Sequence, residues 1–98
     1  MLFRSALGNI YRLKGDTERA IHHFEVALGI ASPFNWQREL FLIHYYLAEV
    51  FCNQDEFDDA IAHLERAKSH AADDARNLGY VMERQASIWY EQDRKSVV

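Results

Sequence analysis

The strongest constraint in this sequence is an echo. Shifted by forty residues, Leu7 falls on Leu47, Gly8 on Ala48, Tyr11 on Phe51, Ala20 on Ala60, Ile21 on Ile61, Phe24 on Leu64 and Ala27 on Ala67. Small residues meet small ones and large meet large at every position, which marks an internal repeat. Within the first unit, Leu7, Gly8 and Tyr11 share one helical face, and Ala20, Phe24, Ala27 and Leu28 share another, with a break at Gly15-Asp16. Two amphipathic helices joined by so short a turn pack antiparallel, because nothing else covers their apolar stripes. Gly8, Ala20 and Ala27 let the backbones approach toward the short end of the usual ~8–10 Å separation.

These spacings resemble the tetratricopeptide repeat (TPR) family. Its pattern places a large residue, then Leu-Gly, then Tyr in the first helix, and Ala, an aromatic, Ala and a late Pro in and after the second. The matching residues are Leu7, Gly8, Tyr11, Ala20, Phe24, Ala27 and, one place late, Pro33; Arg4 and His44 stand where the family has a Trp. The family unit is ~34 residues, so a forty-residue step is a long variant, similar to the long repeats of cell-polarity and spindle-orientation scaffolds. The resemblance implies an all-α, right-handed stack of antiparallel helical hairpins, a TPR-like α-solenoid of five helices. One domain would span 1–98, with repeat one at 1–33, repeat two at 34–72 and a half repeat, a first helix alone, at 73–98.

The composition agrees. Ninety-eight residues with 49% apolar content suffice for one small continuous core, and one Pro with four Gly among abundant Ala, Leu, Glu and Arg favours helix. Cys52, the sole cysteine, has no internal disulfide partner, which suits a reducing, cytoplasmic setting. No apolar run approaches the ~20 residues of a membrane span, and no signal peptide develops after Arg4. The formal charge of −4 is uneven. Residues 1–33 carry four basic and three acidic groups, residues 34–98 seven and twelve. That balance argues against a nucleic-acid partner and for a protein or peptide segment with basic residues.

Along the chain, the pattern predicts a first helix over Leu2–Lys14, with Gly15 in the left-handed region and Asp16 as the next cap. A second helix follows over Thr17–Ala31, ended by Ser32-Pro33. A long third helix is expected over Phe34–Asn53, with Phe34 and Trp36 packing over the end of the second. The turn Asn53-Gln54-Asp55 lacks the glycine of the first repeat, although Asn and Asp tolerate left-handed geometry better than most. The fourth helix should run over Glu56–His70. Its early Glu56, Asp58 and Asp59 read as dipole-stabilising charge in preference to a cation site, since no calcium-loop spacing is present. Lys68 stands where repeat one has Leu28, so the core is thinner there or the lysine snorkels.

A fifth helix should begin near Asp73 or Asp74, its stripe carried by Leu78, Val81, Met82, Ile88 and Trp89. Shifted by thirty-eight residues, Ala48 falls on Ala86, Val50 on Ile88 and Phe51 on Trp89, while the equivalent of Ala60 would be Val98. With no partner helix, Val81, Ile88 and Trp89 are expected to lie bare. Either the chain belongs to a longer array, or that face self-associates as a two-fold homodimer. Asp93 replaces the turn glycine, so the helix is free to run on toward Val98.

Chemistry-bearing residues are sparse. His22, His23, His44, His63 and His70 show no metal-ligand spacing, and His44 is expected as a packed, hydrogen-bonded histidine. Cys52 lacks a base at the next helical turn, and stacked hairpins offer few free backbone N–H groups for an oxyanion pocket. No enzyme, cofactor or metal is therefore expected. By resemblance, the first helix of each repeat lines a concave face. Its residues would be Leu2, Ser5, Asn9, Arg12 and Leu13; then Leu42, Tyr45, Glu49, Cys52 and Asn53; then Tyr80, Glu83, Ser87, Tyr90 and Glu91. Tyr45 and Tyr80 offer flat apolar area with a polar tip, Asn9 can bond a peptide backbone, and Glu49, Glu83 and Glu91 can meet basic groups. TPR domains that clamp the carboxylate tail of chaperones use Lys at the place of Ser5 and Asn at the places of Asn9 and Tyr46. Only Asn9 is present, which disfavours that ligand. The function implied is a non-catalytic scaffold or adaptor that binds a peptide segment, with structural self-association as the alternative.

Overall fold

In the computed structural model, residues 2–71 and 74–96 are described. The helices are α1 (Phe3–Leu13), α2 (Thr17–Ala31), α3 (Gln37–Asn53), α4 (Phe57–Ala71) and α5 (Ala75–Ser96), with a 3-10 turn at Ser32–Phe34. There is no β-strand among the described residues, and the fold is a TPR-like helical repeat. Helices α2 and α4 are sandwiched: α2 packs on α1 and α3, and α4 on α3 and α5.

The two tight turns are copies. The N–H of Asp16 donates to Tyr11 O and that of Glu56 to Phe51 O, each at 2.9 Å. The left-handed position is Gly15 in one (φ 80°) and Asp55 in the other (φ 61°), so the second turn keeps the geometry at some steric cost. Asp16 caps α2 by accepting from Arg19 N, and Asp74 Oδ1 accepts from the N–H groups of Arg76 and Asn77 at the start of α5. Asp73, the other expected start, lies outside the described residues. Helix α5 passes Asp93 without a break.

Two expectations are corrected. Helix α3 begins at Gln37 instead of Phe34, because Asn35 turns into the left-handed region (φ 52°) and Trp36 stays extended as the cap. Phe34 and Trp36 therefore stack on each other, 4.9 Å between centroids, and do not seal the end of α2. They are 64% and 42% exposed. The second correction concerns the face expected to lie bare. Val81 and Ile88 are fully buried, joining Ala60, Leu64, Ala67 and Ala71 of α4. A helix at 3.6 residues per turn separates Val81 from Met82 and Ile88 from Trp89 by about 100°. The first of each pair faces α4, and the second faces away.

The core is organised by α3, which is buried on two flanks. Leu40, Ile43, Leu47 and Val50 pack with Ala20, Phe24, Ala27 and Ala31 of α2. Phe41 and Ala48, on the other flank, pack with Ala60, Leu64, Ala67 and Ala71 of α4. Both sandwiched helices thus present three alanines and one large side chain at the same four register positions. Complete burial of Phe24 and Leu64 contributes roughly 1.5–3 kcal/mol each. Lys68 is exposed, so the second core is thinner than the first at the place of half-buried Leu28.

Space is tightest at Gly8. A Cβ built there would lie 2.8 Å from Cδ1 and Cε1 of Phe24, a ring with no exposed surface and no room to swing. Gly79, on α5, has nothing within 4 Å of the same added atom. Gly8→Ala should therefore destabilise the chain by about 1–3 kcal/mol by overpacking, whereas Gly79→Ala should stabilise it by about 0.4–1 kcal/mol. Ala20→Leu and Ala60→Leu should also cost about 1–3 kcal/mol. Urea melts of the four variants check the signs.

Candidate functional site

The residues expected on the concave face fall into two groups. The first sits where α1 meets α3. Asn9 Oδ1 accepts from Arg12 Nε at 3.0 Å and from a terminal guanidinium nitrogen at 2.7 Å. This steers the Arg12 guanidinium over the Tyr46 ring, 5.2 Å from its centroid, a cation–π contact. Tyr46 in turn stacks on buried Phe24, so the pair is seated on the first core.

The second group lines the groove between α3 and α5. Phe41, Leu42, Tyr45, Tyr46, Asn77 and Tyr80 form a cleft of about 230 Å³. Tyr45 and Tyr80 continue into a polar cleft with Glu83, Arg84 and Ser87. Glu83, Arg84 and Ser87 then meet Cys52, Ala86, Tyr90 and Glu91 in a third. Of the expected residues, Leu42, Tyr45, Cys52, Tyr80, Glu83, Ser87, Tyr90 and Glu91 thus share one continuous groove. Asn53 is exposed at the end of α3 and lines none of these three clefts. Ser5 is fully buried and does not face the groove. Its Oγ makes no hydrogen bond among the described residues. Leu13, at 71% exposure, is open to solvent.

Arg84 is the residue that pattern reading missed. Its Nε lies 2.7 Å from Glu49 Oε1, an oxygen that is buried and makes no hydrogen bond among the described residues. The arginine's charge is what compensates that carboxylate. Burial works against the Arg84 cation, but Glu49 and a hydrogen bond to Tyr45 outweigh it and raise its pKa. The sequence signal was available: Arg84 follows Tyr80 by four residues and precedes Ser87 by three, the spacing of one helical face. The pairing also changes the charge reading. Glu49 is already neutralised and Glu91 pairs with Arg94 at 3.0 Å, so the groove is less acidic than its formal charges suggest. Burial raises the Cys52 thiol, with Arg84 opposing it in part. Cys52 therefore stays a protonated, poor nucleophile near neutral pH.

The histidines carry a second echo. Arg4 donates to His23 Nδ1 at 3.2 Å, since arginine has no acceptor. Forty residues on, the Nδ1 atoms of His44 and His63 lie 3.0 Å apart, so one imidazole donates and the other accepts. His23 stacks on Tyr11 and His63 on Phe51, both with centroids 5.3 Å apart and rings nearly parallel. Tyr11 and Phe51 thus occupy matching positions. His70 stacks on His44 and its Nδ1 contacts Gln37 Oε1 at 2.9 Å. Among the described residues, no group of three or more His, Cys, Asp or Glu is placed to hold a metal ion, and no helix is long and apolar enough to cross a membrane.

A stack of helical hairpins with a side-chain-lined groove defines the class of helical-repeat proteins. Residues 4–35 match the family model of the tetratricopeptide repeat. The first hairpin is thus recognised as a tetratricopeptide repeat, and the helices that follow extend a TPR-like helical repeat fold. Repeats of this family are generally non-catalytic protein–protein interaction modules, and an interaction module is what this one supports. No curated protein and no solved structure matches the chain.

The histidine pair makes stability depend on acid. Burial, then His63, His70 and Arg66, lower His44 from 6.5 to about 4. Burial also lowers His63 and His70. Between those values the unfolded chain binds the proton that the folded chain refuses. Stability is therefore fully present above about pH 6.5 and is lost as pH falls toward 4. Thermal melts from pH 7.5 to 4 should show that decline, and His44→Gln should flatten it.

Proposed function

We propose that the chain is a scaffold or adaptor that holds a peptide segment along the groove between α3 and α5, with Asn9, Arg12 and Tyr46 extending the surface across α1. The observation that supports this reading most is the aromatic cleft of Phe41, Leu42, Tyr45, Tyr46 and Tyr80, which opens directly into the polar cleft of Glu83, Arg84 and Ser87. Such a juxtaposition suits an apolar anchor beside a hydrogen-bonded backbone. The Tyr45 ring is held from behind by Phe41, with centroids 5.9 Å apart, and edge-on by Tyr46. It is therefore rigid before a ligand arrives, which lowers the ordering cost of binding. Of the acidic residues expected to meet basic groups, Glu83 is the one placed beside the anchor cleft, so a basic residue next to the apolar anchor fits best. A reducing, cytoplasmic setting suits the unpaired Cys52.

Selection from a random dodecapeptide library tests the reading. Enriched peptides should share an apolar anchor with a neighbouring basic residue. Tyr80→Ala should weaken them by about tenfold or more, in line with ~1.4 kcal/mol or more at a binding hot spot. Tyr80 is half exposed, so the fold should survive the change. Enriched peptides that bind wild type and Tyr80→Ala equally would refute the groove as the site.

A further inference from the structure

The groove between α3 and α5 does not stop at the anchor cleft. Phe41, Leu42 and Asn77 also line a larger open cavity, of about 550 Å³, where the starts of α3 and α5 meet the end of α4. Arg38 and Arg76 line it from two different helices, together with His70 and Asp74. Arg38 precedes Leu42 by four residues and Arg76 precedes Tyr80 by four. Each arginine therefore shares the face that its helix turns to the cleft.

The charges along this line separate into those already matched and those still open. Glu49 pairs with Arg84, and Glu91 with Arg94. Asp74 Oδ1 accepts from the N–H groups of Arg76 and Asn77, and Glu39, next to Arg38, accepts from the N–H of Leu2. Arg38, Arg76 and Glu83 make no ion pair among the described residues. Two open cations thus stand at one end of the anchor cleft and one open anion at the other.

The two cations are also placed against local preference. Each is the second residue of its helix, where the positive end of the helix dipole disfavours a cation. The first turns of α2 and α4 carry acidic residues and no such arginine in second place. An anion in the cavity would meet both arginines and both helix starts. Its size of charge follows from the lining. Arg38 and Arg76 against Asp74 leave one net positive charge, and His70, whose pKa is lowered by burial, adds none near neutral pH. That balance suits a single carboxylate better than a doubly charged phosphate.

Resting on the reading of the groove as a peptide site, we propose that its occupant carries an acidic side chain on one side of the apolar anchor and a basic one on the other. Arg38 and Arg76 hold the carboxylate, and Glu83 meets the basic group. Arg76 and Glu83 lie four residues before and three after Tyr80, about 6 Å and 4.5 Å along the helix. An extended segment advances about 3.3 Å per residue. The acidic residue therefore falls about two places from the anchor, and the basic one or two places away on the opposite side.

The test is a parallel selection from one random dodecapeptide library, displayed inside a carrier loop so that no terminal carboxylate is free. The targets are wild type and the double variant Arg38→Glu/Arg76→Glu. Both arginines are exposed, and circular dichroism of the variant should match wild type. Wild type should enrich Asp or Glu across the anchor from the basic residue, and the variant should enrich Lys or Arg at that same place. A terminally blocked peptide from the wild-type pool should bind the variant at least about tenfold more weakly, and exchanging its acidic residue for Lys should restore binding. The control Lys14→Glu/Lys68→Glu, equal in net charge but away from the cavity, should keep the wild-type preference. Reversal in that control would assign the preference to overall charge and overturn the proposal. An empty selection, or peptides indifferent to Tyr80→Ala, removes the groove reading and this proposal with it. Peptides that Tyr80→Ala weakens but the double reversal leaves unchanged overturn the acidic contact alone. So does phosphoserine at the acidic place binding about tenfold tighter than Glu, since the cavity would then belong to a doubly charged group.

Discussion

Close contact between an alanine-rich helix face and its neighbours governs the arrangement of this chain. On α2 and on α4, three methyl groups and one large side chain replace the usual run of leucines. A helix with such a face can sit deep between two others, because methyls neither hold the partners apart nor lose rotamer freedom on burial. The single large residue then fills what the alanines leave. Phe24 does so against Gly8 so tightly that one additional carbon cannot be seated. Dispersion over such short distances is small per atom but adds over the whole interface.

From that spacing the rest follows. Because α2 and α4 sit between α1, α3 and α5, the side chains that those three helices turn away from α2 and α4 form the surface that recognition can use. That surface is not a passive wall. Tyr46 rests on Phe24, Tyr45 on Phe41, and Arg84 links Glu49 on α3 to α5. Core and groove share side chains, so a change in packing below the groove reaches the aromatic surface directly.

Much of this was legible from residue types alone. The forty-residue echo locates four helices within about three residues, and Asp55 repeats the turn of Gly15 despite its side chain. What stayed hidden has physical reasons. Val81, Met82, Ile88 and Trp89 are all apolar, so hydrophobicity could not say which flank α4 would cover; that depends on the angle at which α4 crosses. Phe34 and Trp36 looked like extra helical turns, but Asn35 between them takes a left-handed backbone, which Asn tolerates better than most and which the aromatic pair on either side masked. Arg84 drew no reading from the sequence because its partner, Glu49, lies 35 positions away. For the same reason Glu49 looked open to a basic ligand when it was already paired. The His44–His63 contact is a milder case: a packed, hydrogen-bonded histidine was expected, but its partner was not foreseen.

The double burial of α3 also orders the molecule in time. Its amides are shielded by packing on both flanks, whereas α1 and α5 are each held along one. In a stack where every helix leans only on its neighbours, opening starts at the ends and works inward. Deuterium should thus enter α1 and α5 first and α3 last, and the Tyr45 anchor rides on the segment that persists longest.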